Sequence, residues 1–290
     1  MLNLIFHPAR LSGMGRRKKI GDITTFILLI LISLIMLFPI YIMLITSFKT
    51  KGEIMLFPPT LFPKVVTFEN FGEIFKTMNF SVLYRNSMFV STMVTLGSVI
   101  SSSFVAFGFY RYKAPGKNVL FAILLSTMMI PFSAFMIPQF ILFMNLGWVN
   151  TFLPLIVPYF FGSAYMVFLF RQFFGTITYE LFEASRIDGA GEILSYWKIA
   201  MPLCGPAIAA VAIFSFIWSW DDILGPVIYL NDPQLFTLPI AMSSFKYKFT
   251  VVPWHYIMAG ALSMSLPGLL LFVFCQRYFV EGIVLSGIKA

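Results

Sequence analysis

Ile23-Thr24-Thr25-Phe26-Ile27-Leu28-Leu29-Ile30-Leu31-Ile32-Ser33-Leu34-Ile35-Met36-Leu37-Phe38-Pro39-Ile40-Tyr41-Ile42-Met43-Leu44-Ile45 runs without one charged side chain. As a helix rising 1.5 Å per residue it covers the roughly 30 Å hydrocarbon core of a bilayer. It follows Arg10, Arg16, Arg17, Lys18 and Lys19, a basic lead like the n-region of a signal peptide. The apolar run exceeds the roughly 7–15 residues of such a peptide and no small-residue cleavage site follows cleanly, so it reads as an uncleaved start-anchor with its N-terminus inside.

The rest of the chain extends the same reading. Of its residues 59% are hydrophobic and 11% charged, against roughly 45–50% and 25% in soluble domains, so most of the surface must face lipid. At about 20 apolar residues per crossing, 290 residues hold on the order of six spans and leave no room for a soluble catalytic domain. The net charge of +8 could point to nucleic acid, but loop Lys and Arg that set orientation account for it, and no nucleic-acid partner is expected. Cys204 and Cys275 sit in apolar sequence without CxxC spacing and read as small core residues. His7 and His255 form no metal motif, and no GxxxxGK[ST] phosphate loop occurs. No catalytic residue, no metal site and no cofactor of the chain's own is expected.

The fold expected is all-α, a polytopic membrane protein with spans near 23–45, 86–109, 119–143, 152–170, 203–230 and 254–275. A basic terminus (1–22), one transmembrane body (23–278) and a short tail (279–290) divide the chain. Arg10, Arg16, Arg17, Lys18, Lys19, Arg111, Lys113, Lys117, Arg171, Arg186, Lys198, Arg277 and Lys289 fall on one side of this topology. Lys49, Lys51, Lys64, Lys76, Arg85, Lys246 and Lys248 fall on the other, most of them in a long loop where the positive-inside rule is weak. Both termini are therefore expected to be cytoplasmic. The first outer loop, with Phe57-Pro58-Pro59 and Pro63, reads as a structured cap.

The one long loop on the cytoplasmic side, within 175–202, contains Tyr179-Glu180-Leu181-Phe182-Glu183-Ala184-Ser185-Arg186-Ile187-Asp188-Gly189-Ala190-Gly191-Glu192. Apolar and acidic residues alternate at helical spacing, Asp188-Gly189 is a turn signal, and Ile193, Trp197 and Met201 recur every fourth residue. Two short helices with an elbow at Gly189 are expected, exposing apolar and acidic surface to a cytosolic partner.

Here the chain resembles the integral membrane subunits of bacterial ABC importers, which share Glu-Ala-Ala, three residues, Gly, nine residues, Ile, one residue, Leu-Pro. Glu183-Ala184-Ser185, Gly189, Ile199, Met201 and Pro202 keep that spacing, with Ser185 for Ala and Met201 for Leu. Met129-Ile130-Pro131, Ile137-Pro138, Leu146-Gly147-Trp148-Val149-Asn150-Thr151, the stretch Trp218 to Leu224 and Gln276-Arg277-Tyr278-Phe279-Val280-Glu281-Gly282 are similar to the carbohydrate-importing, maltose-type branch.

The resemblance implies a coupling helix in which Glu183, Ala184, Ser185, Asp188, Gly189, Ala190 and Pro202 dock on an ATP-binding subunit, with Glu183 paired to a basic residue of that partner. It implies a second, related permease in a heterodimer, two ATPases that bind the ATP and Mg, an extracytoplasmic solute-binding protein, and a bacterial inner membrane. It also implies that the external fifth loop, with Pro233, Phe236, Pro239, Phe245, Tyr247, Phe249 and Trp254, reaches toward that binding protein. A lid packed on its own spans is the other reading of the loop. The tail from Gln276 to Ala290 is expected to reach the ATPases.

The substrate pathway is less sharply marked. Asp221 and Asp222 follow Trp218 and Trp220 near membrane depth, where carboxylates are costly, and acids beside aromatic rings suit sugars. A hydrated position at the outer interface explains them as well. Gln139 and Asn145 are candidates for contacts to substrate hydroxyls or for interhelical packing. Pro131, Pro138, Pro154 and Pro158 should kink the third and fourth spans. A permease for a polyamine or phosphate, a stand-alone secondary transporter and an intramembrane enzyme are the competing readings. The second lacks ion-coupling residues and internal repeats, and the third lacks a catalytic cluster.

Overall fold

The computed structural model describes residues 16–245 and 252–287. Arg10, Lys246, Tyr247, Lys248, Phe249 and Lys289, on which some of the expectations rest, lie outside them. The described residues form helices and connecting turns with no strand. Among the described residues, four helices are long and apolar enough to cross a membrane, or six if each of two bent pairs counts as one crossing.

The chain divides into two compact units, Met1–Gly72 with Pro253–Leu262, and Glu73–Val252 with Ser263–Ala290. The first contains α1 (Arg16–Ser47) and the loop after it. Residues 21–40 of α1 present their apolar side chains outward, as a lipid-facing or partner-facing helix must. The following loop is a built structure. Glu53 accepts from the Thr60 hydroxyl at 2.6 Å and the Lys64 backbone N–H at 3.0 Å, and Asn70 Nδ2 donates to the carbonyls of Ser47 and Lys49 at 2.8 Å.

The second unit is organised around α2 (Phe80–Arg111), with α3 (Lys117–Ser126), α4 (Phe132–Asn145), α5 (Ala164–Phe174), α6 (Tyr179–Ile187), α7 (Gly205–Trp220), α8 (Leu224–Tyr229) and α9 (Leu238–Phe245). The last helix, α10 (Trp254–Gly287), begins in the first unit and continues in the second. The segment expected as a tail thus extends α10 to Gly287.

Helix α2 packs most extensively on α7, α5 and the 3-10 turn Val157–Phe161. Small residues along it, Ser91, Gly97, Ser98, Ser102, Ser103 and Ala106, are buried and let neighbouring backbones approach closely. Ser101 Oγ donates to the Tyr159 carbonyl at 2.9 Å, and Ser102 Oγ accepts the Ser163 N–H at 3.1 Å. Cys204 lies in the core formed by Phe107, Phe170, Phe174, Tyr196 and Val211.

The spans differ from the sequence expectation where proline and glycine interrupt them. The third is bent by 96° between Lys117–Met129 and Phe132–Asn145, with Pro131 at the break because its ring lacks an N–H and disfavours a helical predecessor. The fifth, expected as one helix over 203–230, is continuous only from Gly205 to Trp220. It turns by 81° from Glu192–Leu203, and a non-helical break at 221–223 separates it from α8.

The 231–245 segment is a lid. Asn86 Nδ2 donates to the carbonyls of Gln234 (2.8 Å) and Phe236 (3.1 Å), and Ser87 Oγ accepts the Leu238 N–H at 2.7 Å. Leu238, Pro239 and Phe245 are buried. Residues 237–240 and Phe245 therefore pack within the chain, as the lid reading has it, while Pro233 is exposed and Phe236 half-buried.

Candidate functional site

At the Arg111 end of α2 stands the hairpin of residues 179–203. Helix α6 stops at Asp188, and Gly189 takes φ +81°, a left-handed conformation that costs any residue with a Cβ. The Ala190 N–H donates to the Ser185 carbonyl at 2.9 Å and the Gly189 N–H to the Arg186 carbonyl at 3.1 Å, the paired bonds of a Schellman cap. The return leg runs through Glu192–Ser195, a π-helical turn Tyr196–Ala200 and Met201–Leu203. The legs are pinned together by Ser185 Oγ and Ser195 Oγ at 3.0 Å, so the Ser that departs from the family's second Ala has a bonding role.

The hairpin has two faces. Phe182 is 0% exposed, against Phe107 and Tyr110 of α2 (ring centroids 5.8 and 6.0 Å), and Tyr196 shares a 2.7 Å hydrogen bond with Ser103. Ile187 is 87% exposed and Ile193, Leu194 and Trp197 project with it. Phe182 is therefore not part of the free apolar surface expected of this loop. Five residues from Ile187, it lies about 140° away around the axis of α6.

Glu183 has a basic partner within this chain, one that the sequence reading did not foresee. Arg111 Nη1 donates to Glu183 Oε1 at 3.0 Å and Nε to Glu192 Oε2 at 3.0 Å, so one guanidinium holds both legs of the hairpin. The Arg111 side chain is only 5% exposed, and its Cζ lies 4.9 Å from the Tyr179 ring centroid. The hydrogen bond from Arg111 holds the Glu183 carboxyl below its ordinary value of 4.5. Arg111 was not singled out from the sequence beyond its charge. An arginine closing an apolar span, on the side that carries two loop glutamates, was the signal available. Asp188 and Ala190 lie at the elbow, and Pro202 sits in the first turn of Met201–Leu203.

A second site lies beside Val90, about 500 Å³ in volume. Gln139 from α4, Tyr159, Trp218 from α7, Asp222, Tyr229 from α8 and Thr237 before α9 line it. Asp222 Oδ1 accepts the Gly225 N–H at 3.1 Å, and a Cβ at 225 would lie 2.5 Å from Asp222 Oδ2, so a glycine is what allows the carboxylate to seat there.

Of the residues picked as pathway candidates, Gln139, Trp218 and Asp222 thus converge, and Asn145, Trp220 and Asp221 do not line the cavity. Trp220 is buried, donating Nε1–H to the Met264 carbonyl at 3.0 Å and stacking on Phe216. Asp221 is an exposed helix cap and Asn145 an exposed helix end. Helical phase separates Trp218 from Trp220, two positions and about 200° apart on α7. Tyr159, Tyr229 and Thr237 were missed because aromatic and hydroxyl residues in apolar sequence carry no local motif.

A helical bundle with a polar cavity among its bent spans and an anchored hairpin at one end of its central helix is the body of a multi-pass membrane permease. Residues 95–284 match the family described as binding-protein-dependent transport system inner membrane component. The arabinooligosaccharides transport system permease protein AraQ of Halalkalibacterium halodurans is 33% identical, over 94% of this chain and 99% of its own length. The sn-glycerol-3-phosphate transport system permease protein UgpE of Brucella melitensis is 32% identical over 93% and 99%.

Among solved structures, a chain of a bacterial ABC transporter involved in import of the acidic polysaccharide alginate shares the fold. It superposes with a TM-score of 0.80 at 22% identity over 92% of this chain and 99% of that one. The chain belongs to the binding-protein-dependent transport system inner membrane components, and it is the permease subunit of an ABC importer rather than an enzyme.

Proposed function

We propose that this permease forms part of the pathway by which an ABC importer moves a carbohydrate, delivered by an extracytoplasmic binding protein, across a bacterial inner membrane. Its termini and the 179–203 hairpin face the cytoplasm. A related permease completes the pathway, and two ATPase subunits bind ATP and Mg.

The carrying observation is the hairpin. Its inner face is welded to α2 by Phe182 and Arg111, while Ile187, Ile193 and Trp197 stand free. An apolar surface so exposed fits a groove in a partner, and so rigid an attachment turns movement of that partner into movement of α2. Glu183, Ala184, Ser185, Asp188, Gly189, Ala190 and Pro202 give the hairpin its shape. Carbohydrate as cargo is supported by the aromatic and hydroxyl lining of the cavity and by the AraQ relatives. The UgpE relatives support a second reading, a phosphorylated polyol.

The test is transport in proteoliposomes holding the assembled importer. Gly189→Leu should leave the complex assembled and hydrolysing ATP while uptake falls at least tenfold. Uptake at the wild-type rate contradicts the proposal.

A further inference from the structure

We infer that the cavity beside Val90 is a solute subsite for a neutral, hydroxyl-rich ligand, and that Asp222 makes it reject anionic ones. The inference rests on the importer reading and narrows its cargo.

Unpartnered polar atoms carry it first. Gln139 Oε1, Tyr229 Oη and Thr237 Oγ1 are buried with no hydrogen-bond partner among the described residues, and the Tyr229 and Thr237 side chains are 3% and 4% exposed. Buried polar groups are retained at a cost in stability unless something meets them. Two hydroxyls that donate and accept, beside a carbonyl that accepts, are matched to a ligand whose own groups are hydroxyls. The half-exposed ring of Trp218, with Phe132, Phe135 and Tyr159, supplies flat apolar surface for the C–H face of a sugar.

Charge decides the class. Asp222 is the single charged side chain among the described lining residues, which include no Lys, Arg or His. A phosphate or uronate needs cationic or charge-assisted donors, and here it would meet a carboxylate in a poorly screened site. Asp222 cannot swing away freely, because Oδ1 is bonded to the Gly225 N–H and Oδ2 fills the space a side chain at 225 would take. A volume near 500 Å³ is that of a small-molecule site. The chain thus resembles UgpE, named for an anionic solute, in sequence, and the transporter of an acidic polysaccharide in fold, without the charge their cargo calls for.

The experiment uses the membrane complex, this permease with its partner permease and ATPases, in nanodiscs. Its probes are arabinotriose, neutral, and trigalacturonate, anionic. Binding is read by tryptophan fluorescence and by the shift in thermal midpoint. The wild type should bind arabinotriose at least tenfold more tightly than trigalacturonate.

Tyr229→Phe with Thr237→Val removes only the unpartnered atoms. It should leave the midpoint of the unliganded complex unchanged and weaken arabinotriose at least tenfold. Asp222→Asn keeps an acceptor for Gly225 and should strengthen trigalacturonate at least tenfold. Equal binding of the two probes, no binding of either, or an unchanged affinity in the double variant overturns the inference.

Stimulation of ATP hydrolysis by the loaded binding protein is measured on the same preparation. If it persists while the cavity variants have no effect, only the subsite is wrong. If it is absent, the importer reading falls too, and the inference with it.

Discussion

Arg111 concentrates much of the hairpin's attachment in one side chain. A guanidinium presents donors on two edges, so Nη1 and Nε reach Glu183 and Glu192 on different legs at once, and the planar group also lies over Tyr179. Removing it with Arg111→Met leaves two carboxylates that are 46% and 37% exposed and can be rehydrated. The cost should therefore be smaller than for a fully buried pair. ATP hydrolysis should continue with uptake per ATP reduced at least fivefold, measured in the same vesicles. Arg111→Lys keeps the charge but reaches one glutamate at a time, and should recover part of the coupling.

The pH dependence follows from Glu183. Its carboxyl is held below 4.5 by the Arg111 hydrogen bond, so the contact is complete above that value and is lost only as pH falls through the lowered one. Uptake per ATP should be flat between about pH 5.5 and 8. A drop between pH 7 and 6 would assign the coupling to another group.

At the scale of the element, α6 shows what a sequence can and cannot disclose. The elbow was legible, because Asp-Gly with φ > 0 at the glycine is local chemistry and the Schellman cap needs only neighbouring backbone. Which face of α6 would be covered was not legible. Phe182 and Ile187 are both apolar, and periodicity separates their faces without saying which meets Phe107 and Tyr110, residues some 70 positions away.

The two faces make opposite predictions. Phe182→Ala empties a core position and should cost about 3–5 kcal/mol, seen as a lower thermal midpoint of the permease. Ile187→Ser, at a position 87% exposed, should leave that midpoint within the range of a surface substitution and still weaken retention of the ATPase on affinity purification. Equal loss of stability in both variants would mean that the outer face is not a docking surface.

For the whole molecule, the existence of apolar spans was legible from length and composition, since a bilayer constrains both. The third span's bend was legible in place and not in size, and the 81° turn into the fifth was not expected. Pro131 marks the third span's break, but 96° is set by what the two halves pack against. The cavity was the least legible feature. Its lining comes from near positions 90, 139, 159, 222, 229 and 237, and only the folded chain brings them together.

Charge counting placed the 179–203 hairpin and the 231–245 lid on opposite sides of a membrane, and the structure sets them at opposite ends of α2, at Arg111 and at Asn86. Their occupants should differ accordingly, an ATPase at the first and the extracytoplasmic compartment at the second.

The most direct test of that arrangement is site-specific cross-linking in membranes holding the complete importer. Ile187→Cys and Trp197→Cys, in a Cys275→Ser background, should each form an adduct with the ATPase subunit through a short thiol-reactive linker. Phe57→Cys, 95% exposed in the loop after α1, should form none. Adducts from position 57, or none from 187 and 197, would contradict the hairpin as the surface through which ATP hydrolysis drives this permease.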